Sequence, residues 1–478
     1  MRTLLVPFLL ATLCTFAHAG ETSAILSLGK FYSSSPAPST TYADRWSNEF
    51  TSGTKLTDEL PGASWPLDGW VGWANTSVTV SLDLGSVRPV AGVSLRAQSR
   101  TDWGIRFPAS MTISTSTDGA AWSPYGTPAP FPADTTGFSA VTLAGNGGAV
   151  SARFVRCDLT PGAQAGLFMV DELTVDGTVA DTRKFVPGSG CYHGAFPTDA
   201  TGYGYLYISA FESLAQKALR MVLWYADWTG SFQSQVGYVI DSNLGDRYLE
   251  VGFLPYNTTS AQIASGSHDA FLQQWFTDAR AKNHPIWFRP MNEMNGDWTF
   301  ATSAETLKYG GDPQTYRWAW RRMYNIAEQV GATGDRQIFV WSPNLPSYPA
   351  TAWNHFSSYY PGAQYVDWVG MSVYSNGQLP TQLMSEIYGT YSATKPMMIA
   401  EGGAYETATN KAAWITDWFR ALKNDYPAVK AAVWFQAGTS PRDFRIETSP
   451  SSLSAYRTGV ADPYFIGNLT GLEDWKRY

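Results

Sequence analysis

From residue 191 onward, eight short apolar runs alternate with stretches of helical periodicity. The runs are CYHGAF (191–196), RMVLWYADW (220–228), YLEVGFLPY (248–256), PIWFRPMNE (285–293), QIFVWSPN (337–344), VDWVGMSVY (366–374), KPMMIAEGG (395–403) and VKAAVWFQAG (429–438). Between them lie helical segments such as HDAFLQQWFTDARAKN, PQTYRWAWRRMYNIAEQVGA and NKAAWITDWFRALKNDYP. Near-continuous apolar strands joined by helices belong to a parallel sheet covered on both faces. Eight such units predict an α/β fold, a (β/α)₈ TIM barrel, over residues 191–468. A doubly wound open sheet would want a Gly-rich phosphate loop after an early strand, and none is present.

The preceding region obeys a different period. SVTVSLDLGS, VAGVSLRAQS, MTISTSTDG, FSAVTLAG, ARFVRCDLT and MVDELTVDG alternate residue by residue between Gly, Asp, Ser and Pro clusters. That is the pattern of an antiparallel β-sandwich, placed at residues 25–177. A polar joint, VADTRKFVPGSG, separates the halves, and the linker is set at residues 178–190. Two domains suit a chain of 478 residues.

Composition narrows the function. Charged residues make up only 15%, and the chain carries 20 Trp and 26 Tyr. Aromatic faces suit the apolar C–H face of a sugar ring. A formal charge of −7 without a Lys/Arg cluster argues against nucleic acid and anionic membrane as partners. The start, MRTLLVPFLLATLCTFAHAG, has a positive residue, an apolar stretch and a small-x-small end at Ala17-His18-Ala19. It reads as a signal peptide over residues 1–19, so the protein is expected to be secreted and extracellular. Cleavage there leaves two cysteines, Cys157 and Cys191, either paired or buried as free thiols. With no CxxC or HExxH pattern, neither a metal nor a cofactor is expected.

Glu293 ends the fourth run and Glu401 stands near the end of the seventh. A barrel brings two such carboxylates together over its C-terminal mouth, where they are suited to cleaving a glycosidic bond. Strand alternation puts Arg289, Met291 and Glu293 on one face. An arginine facing the lumen needs a buried partner, and Glu401 arrives from another strand at the same level. In a retaining mechanism the carboxyls stand about 5–5.5 Å apart, one attacking the anomeric carbon while the other protonates the leaving oxygen.

The motifs RPMNEMNGDW, VWSPN, YYPGAQYVDWVGMSVY and IAEGG, in this order, resemble glycoside hydrolase family 26, a retaining (β/α)₈ family best known for β-mannanases. The resemblance spans about residues 190–465. It implies Glu293 as general acid/base and Glu401 as nucleophile, with Arg289 and Tyr374 orienting the nucleophile. It places Trp298 and Trp434 along the sugar subsites, and Trp228 and His193 are grouped with them as substrate-binding candidates. The family's mannanases usually carry histidine just before the acid/base, where this chain has Asn292. Related barrel hydrolases acting on glucans and xylans carry Asn there, hydrogen-bonding an equatorial 2-hydroxyl. In the first domain, VSLDLGSVRPVAGVSL followed by GIRFPASMTISTSTDGAAW resembles a discoidin-like (coagulation factor 5/8 type C) domain, a fold shared by many carbohydrate-binding modules. Such domains bind through loops at one end of the sandwich, which makes Trp70, Trp73, Arg100 and Trp103 candidates for sugar contact.

The expected protein is a monomeric, secreted, retaining endo-β-glycanase acting on a polysaccharide. Endo-1,4-β-mannosidase is the first reading; mixed-linkage β-1,3-1,4-glucan or β-1,3-xylan is the alternative for the same mechanism. The rival from another class is a non-catalytic lectin or adhesin, which would not be expected to keep Glu293, Glu401, Arg289 and Tyr374 together. A serine hydrolase is excluded, because no G-x-S-x-G occurs.

Overall fold

The computed structural model describes residues 21–43, 53–162, 166–180, 184–197, 207–242, 244–256, 258–297, 312–333, 336–439 and 442–467. In the first half all strand pairings are antiparallel. Its organising element is the long strand Val78–Ser99. The first part of that strand pairs with Tyr32–Ser35 and Val150–Thr160. Its last part pairs with Leu167–Ala180 and Ser139–Ala144. Alternate residues such as Val80, Leu82, Val93 and Leu95 turn inward onto Val155, Leu159, Leu173 and Val175, forming one apolar core. The sandwich is longer than the alternation suggested, because Glu21–Ile25 pairs along its last strand, Glu21 opposite Ala180.

The second half is the barrel. Its strands are β1 (Cys191–Phe196), β2 (Met221–Asp227), β3 (Tyr248–Leu254), β4 (Ile286–Pro290), β5 (Gln337–Trp341), β6 (Trp368–Tyr374), β7 (Met397–Gly403) and β8 (Val429–Phe435). They pair in that order, all parallel, and β1 closes the ring against both β8 and β2. Two apolar layers follow from the two faces of each strand. Tyr192, Met221, Tyr248, Trp287, Trp368 and Met398 fill the lumen. Val222, Leu249, Phe288, Phe339 and Ile399 point outward under the helices. The stretch read as a linker is partly a plug. Phe185 packs on Tyr248 and Trp287, while the Lys184 ammonium donates to Asp367 at 3.1 Å.

The two domains share a seam at the start of the described chain. Leu26 lies in the sandwich core and Leu28, two residues on, lies in the barrel core. Tyr365 donates its hydroxyl to the Leu28 carbonyl, and Asn325 donates to the Gly29 carbonyl at 2.7 Å. The Lys30 ammonium is buried against Glu328 at 2.5 Å, and Arg88 reaches the same carboxylate at 3.2 Å. Burial pulls the Lys30 ammonium below its ordinary pKa, and Glu328 opposes that shift. Gly85, at φ +86°, leaves room for this pair, since a Cβ there would stand 2.0 Å from the Glu328 carboxylate.

Removing one partner of a buried pair strands the other charge. Glu328→Ala should therefore destabilise the whole chain by about 3–5 kcal/mol, measured by urea unfolding. Glu328→Ala together with Lys30→Met should recover most of that loss. A single change that leaves the unfolding midpoint unmoved would show that the seam carries no energy.

Candidate active site

Four strands converge on one carboxylate. Glu401 accepts from the Tyr374 hydroxyl on Oε1 at 2.5 Å. On Oε2 it accepts from the Tyr225 hydroxyl and from Arg289 Nη2, each at 2.5 Å. Arg289 is fully buried and Glu401 is 7% exposed. Burial alone would lower the Arg289 guanidinium pKa, but Glu401 and then Glu250 reverse that and raise it. Both tyrosines are pushed well above the usual phenol range, first by burial and then by Glu401. A smaller part of each shift comes from Glu293, which places the two glutamates around the same pair of hydroxyls.

Two departures from regular strand geometry aim the glutamates. On β7, Met371 pairs with Ile399 but Ser372 pairs with Glu401, so Ala400 is one residue too many. This bulge moves Glu401 into the lumen-facing row shared by Ser372 and Tyr374. On β4 the alternation stops at Pro290. Met291 and Glu293 take left-handed backbone conformations, φ +48° and +59°. Met291 consequently packs in the layer beneath the helices rather than over the lumen. Non-glycine residues in that region cost on the order of 1–3 kcal/mol each and persist where neighbours over-determine them. Here Glu293 N–H donates to the Ser342 carbonyl at 2.8 Å. Asn295 fixes the far end of the turn: its side chain bonds both backbone groups of Asn344 and the Ser347 hydroxyl. Asn292 is buried within the same turn.

Gly252 supplies the remaining space. It lies between Tyr225 and Arg289 in the paired strands, and a Cβ there would meet the Tyr225 ring at 2.7 Å and Arg289 Nη2 at 3.6 Å.

Arg289, Tyr374 and Glu401 are thus brought together, with Asn292 and Glu293 in the adjoining turn. Three other candidates face the wrong way. Trp434 packs against Trp414, Trp418 and Tyr456 under the helices and donates to the Phe444 carbonyl. The lumen-facing parity of β8 belongs to Ala431, Val433 and Phe435. Phe435 stacks on Phe196 and meets Tyr374 edge-on. His193 also points outward, bonded to the Ala218 carbonyl and the Tyr456 hydroxyl, and burial pulls its pKa down to about 4. Trp228 lies beyond the end of β2 and packs on Phe253, His268 and Phe271. Trp298 lies outside the described residues. Tyr225, Gly252 and Phe435 escaped the sequence reading, and the one signal for the tyrosine was its inward parity with Met221 and Leu223.

In the sandwich, Trp70 and Trp73 are core residues, 0% and 1% exposed, and cannot meet a ligand. Trp103 is 43% exposed, with the Arg100 guanidinium 3.4 Å above its ring. Trp65, 69% exposed and unremarked in the sequence, stands edge-on to it at 5.5 Å. The two cysteines are free and buried, and burial pushes the Cys157 thiol up to about 12.

The model for Glycosyl hydrolase family 26 matches residues 229–436. That match runs from just after β2 to the end of β8, so most of the barrel is similar to that family. The F5/8 type C domain model matches residues 33–173, so the sandwich is a discoidin-like domain preceding the barrel. Among curated relatives, "Endoglucanase H" of Acetivibrio thermocellus is 28% identical over 263 residues, 53% of this chain and 29% of the relative. "Mannan endo-1,4-beta-mannosidase A and B" of Caldalkalibacillus mannanilyticus is 33% identical over 146 residues, 30% of this chain and 26% of the relative. A "Beta-1,3-xylanase" of Alcaligenes sp. is 20% identical over 246 residues, 44% of this chain and 50% of the relative. The chain spans no more than half the length of any of these three.

Losing a hydrogen bond to a charged group costs about 1.5–3 kcal/mol. Tyr225→Phe should accordingly lower kcat by about ten- to a hundredfold, and Gly252→Ala should do the same by displacing the ring. Trp434→Phe should lower the melting temperature and leave KM unchanged, whereas Phe435→Ala should raise KM. A Trp434 variant that keeps its stability and loses substrate affinity would reverse the facing assigned to β8.

Proposed function

We propose that this chain is a secreted, retaining endo-β-glycanase, with β-1,4-mannan as its substrate. The observation that carries the reading is the triple-donor cradle around Glu401, with Glu293 held in a left-handed turn beside the same tyrosines. In this reading Glu401 attacks the anomeric carbon. An ionised carboxylate only accepts hydrogen bonds, so Arg289, Tyr225 and Tyr374 meet it in the state that can attack. Glu293 protonates the leaving oxygen, then deprotonates the water that releases the glycosyl-enzyme. Phe196, Phe435 and Tyr374 offer ring faces and edges on the β1 and β8 side of the site. The N-terminal leader, residues 1–19, directs the chain out of the cell. Trp65 and Trp103 hold polysaccharide at the end of the sandwich.

Mannan is favoured by the mannosidase relative. Asn292 and the longer match to an endoglucanase favour a second reading, mixed-linkage β-1,3-1,4-glucan, with β-1,3-xylan beside it. Asn suits an equatorial 2-hydroxyl, and mannose presents an axial one.

Glu293→Ala and Glu401→Ala should each reduce turnover by several orders of magnitude while melting like the wild type. Azide should rescue the first with retained and the second with inverted configuration. Near wild-type turnover in either variant would remove that glutamate from the mechanism. Reducing-sugar release from mannan, galactomannan, mixed-linkage glucan and β-1,3-xylan decides the substrate. Activity on the glucan or the xylan with none on any mannan would replace the mannan assignment and leave the mechanism standing. Trp65→Ala or Trp103→Ala should weaken pull-down on insoluble polysaccharide without changing kcat on short oligosaccharides.

A further inference from the structure

Beneath Glu401 lies a third carboxyl group. Glu250 belongs to the lumen-facing row of β3, paired between Leu223 of β2 and Trp287 of β4, both core residues of the lumen. It is completely buried, and its Oε1 stands 3.3 Å from Arg289 Nε. Among the described residues no group hydrogen-bonds either of its oxygens within ordinary geometry. A carboxyl group in an apolar lumen is costly, and Arg289 is the neighbour that gives it a purpose. The same guanidinium is the one whose Nη2 reaches Glu401.

We propose that Glu250 is a positioning residue for the glycosidase reaction: it holds the Nε edge of Arg289 so that Nη2 stays aimed at Glu401. A guanidinium on a long side chain has rotamers to choose from, and separate carboxyl groups at Nε and at Nη2 leave one orientation. Neither Nη1 nor Nε of Arg289 has a hydrogen-bond partner among the described residues, so without the 3.3 Å contact to Glu250 the head would be held by Glu401 and Gly252 packing alone. The inference rests on the glycanase reading and extends it to a residue that touches no substrate.

The grip works best when Glu250 keeps its proton. Two ionised carboxylates on one guanidinium would divide its charge, and the share lost to Glu250 would be lost to the nucleophile. Burial, opposed by Arg289 and reinforced by Glu401, pushes the Glu250 carboxyl up to about 8. The titratable groups around this cluster are Arg289 from β4, Tyr225 from β2 and Glu401 from β7. Near neutral pH the protonated acid still keeps an oxygen 3.3 Å from Nε, a charge–dipole contact outside hydrogen-bond geometry.

Three variants test this. Glu250→Gln keeps a carbonyl oxygen without a charge and should retain kcat within about threefold, with an unmoved acidic limb of the pH–rate profile. Glu250→Ala frees Arg289, and should lower kcat at least tenfold, leave KM within about twofold and move the acidic limb upward. Glu250→Asp, too short to reach Nε, should resemble Glu250→Ala. A wild-type kcat and acidic limb in Glu250→Ala would overturn the proposal, and so would a Glu250→Gln as damaged as Glu250→Ala. A second readout needs no turnover. The folded chain keeps a proton that the unfolded chain releases above its ordinary carboxylate pKa. Stability should therefore fall between about pH 4.5 and 8 in the wild type more steeply than in Glu250→Gln. Equal slopes would overturn the proposal. A wild type inactive on every polysaccharide would overturn the glycanase reading instead, with the slopes still deciding the state of Glu250.

Discussion

A guanidinium with no exposed surface is the constraint on which the rest of the barrel mouth is built. Arg289 takes a full positive charge into a lumen otherwise filled by Trp, Tyr, Met and Val, and such a charge survives only where carboxylates meet it. Glu401 meets it from β7 and Glu250 from β3. Everything that determines the position of Glu401 can be described as service to this pair. Gly252 has no side chain because the arginine and the Tyr225 ring occupy the space above it. Tyr374 takes the oxygen that the arginine leaves free. A site assembled this way is held from five strands and one turn, with its dipoles and charge fixed by the fold itself.

Strand count and strand boundaries were legible because a parallel barrel writes itself as apolar runs of nearly constant length. The candidate pair stood out for a related reason: a charged residue inside such a run has few structural uses. Parity was much less legible. From sequence, Trp434 and Phe435 are two adjacent aromatics, and only the register of β8 against β1 separates an outward Trp from an inward Phe. The bulge at Ala400 cannot be read from alternation either, since every residue of MMIAEGG is buried on one side or the other. Without that bulge Glu401 would face the helices, so its lumen-facing position was suggested by its motif and not by counting along the strand. On β4 the same counting put Met291 in the lumen, where the left-handed turn removes it.

In the sandwich, burial decided between two uses of tryptophan. Trp70 and Trp73 sit on or beside the strand Val71–Ala74, where alternation with a closely paired neighbour leaves no way out of the core. Trp65 and Trp103 sit in the connections, where a large ring has no core to enter. A loop tryptophan next to proline is a more informative sign of exposure than a strand tryptophan, and Trp65 precedes Pro66.

The seam at Leu26 and Leu28 changes what it means for this barrel to carry a second domain. A module on a flexible tether samples a volume, and its benefit is an averaged local concentration that falls slowly as the tether lengthens. Here the segment Ile25–Lys30 is common masonry: its backbone carbonyls are bonded by the barrel, and its side chains alternate between the two cores. There is no slack to average over. The spacing from the Trp65–Trp103 end to the barrel mouth is therefore a fixed length, and under the proposed function a polymer chain would engage both places only where its own repeat and curvature span that length. The joint works as a ruler.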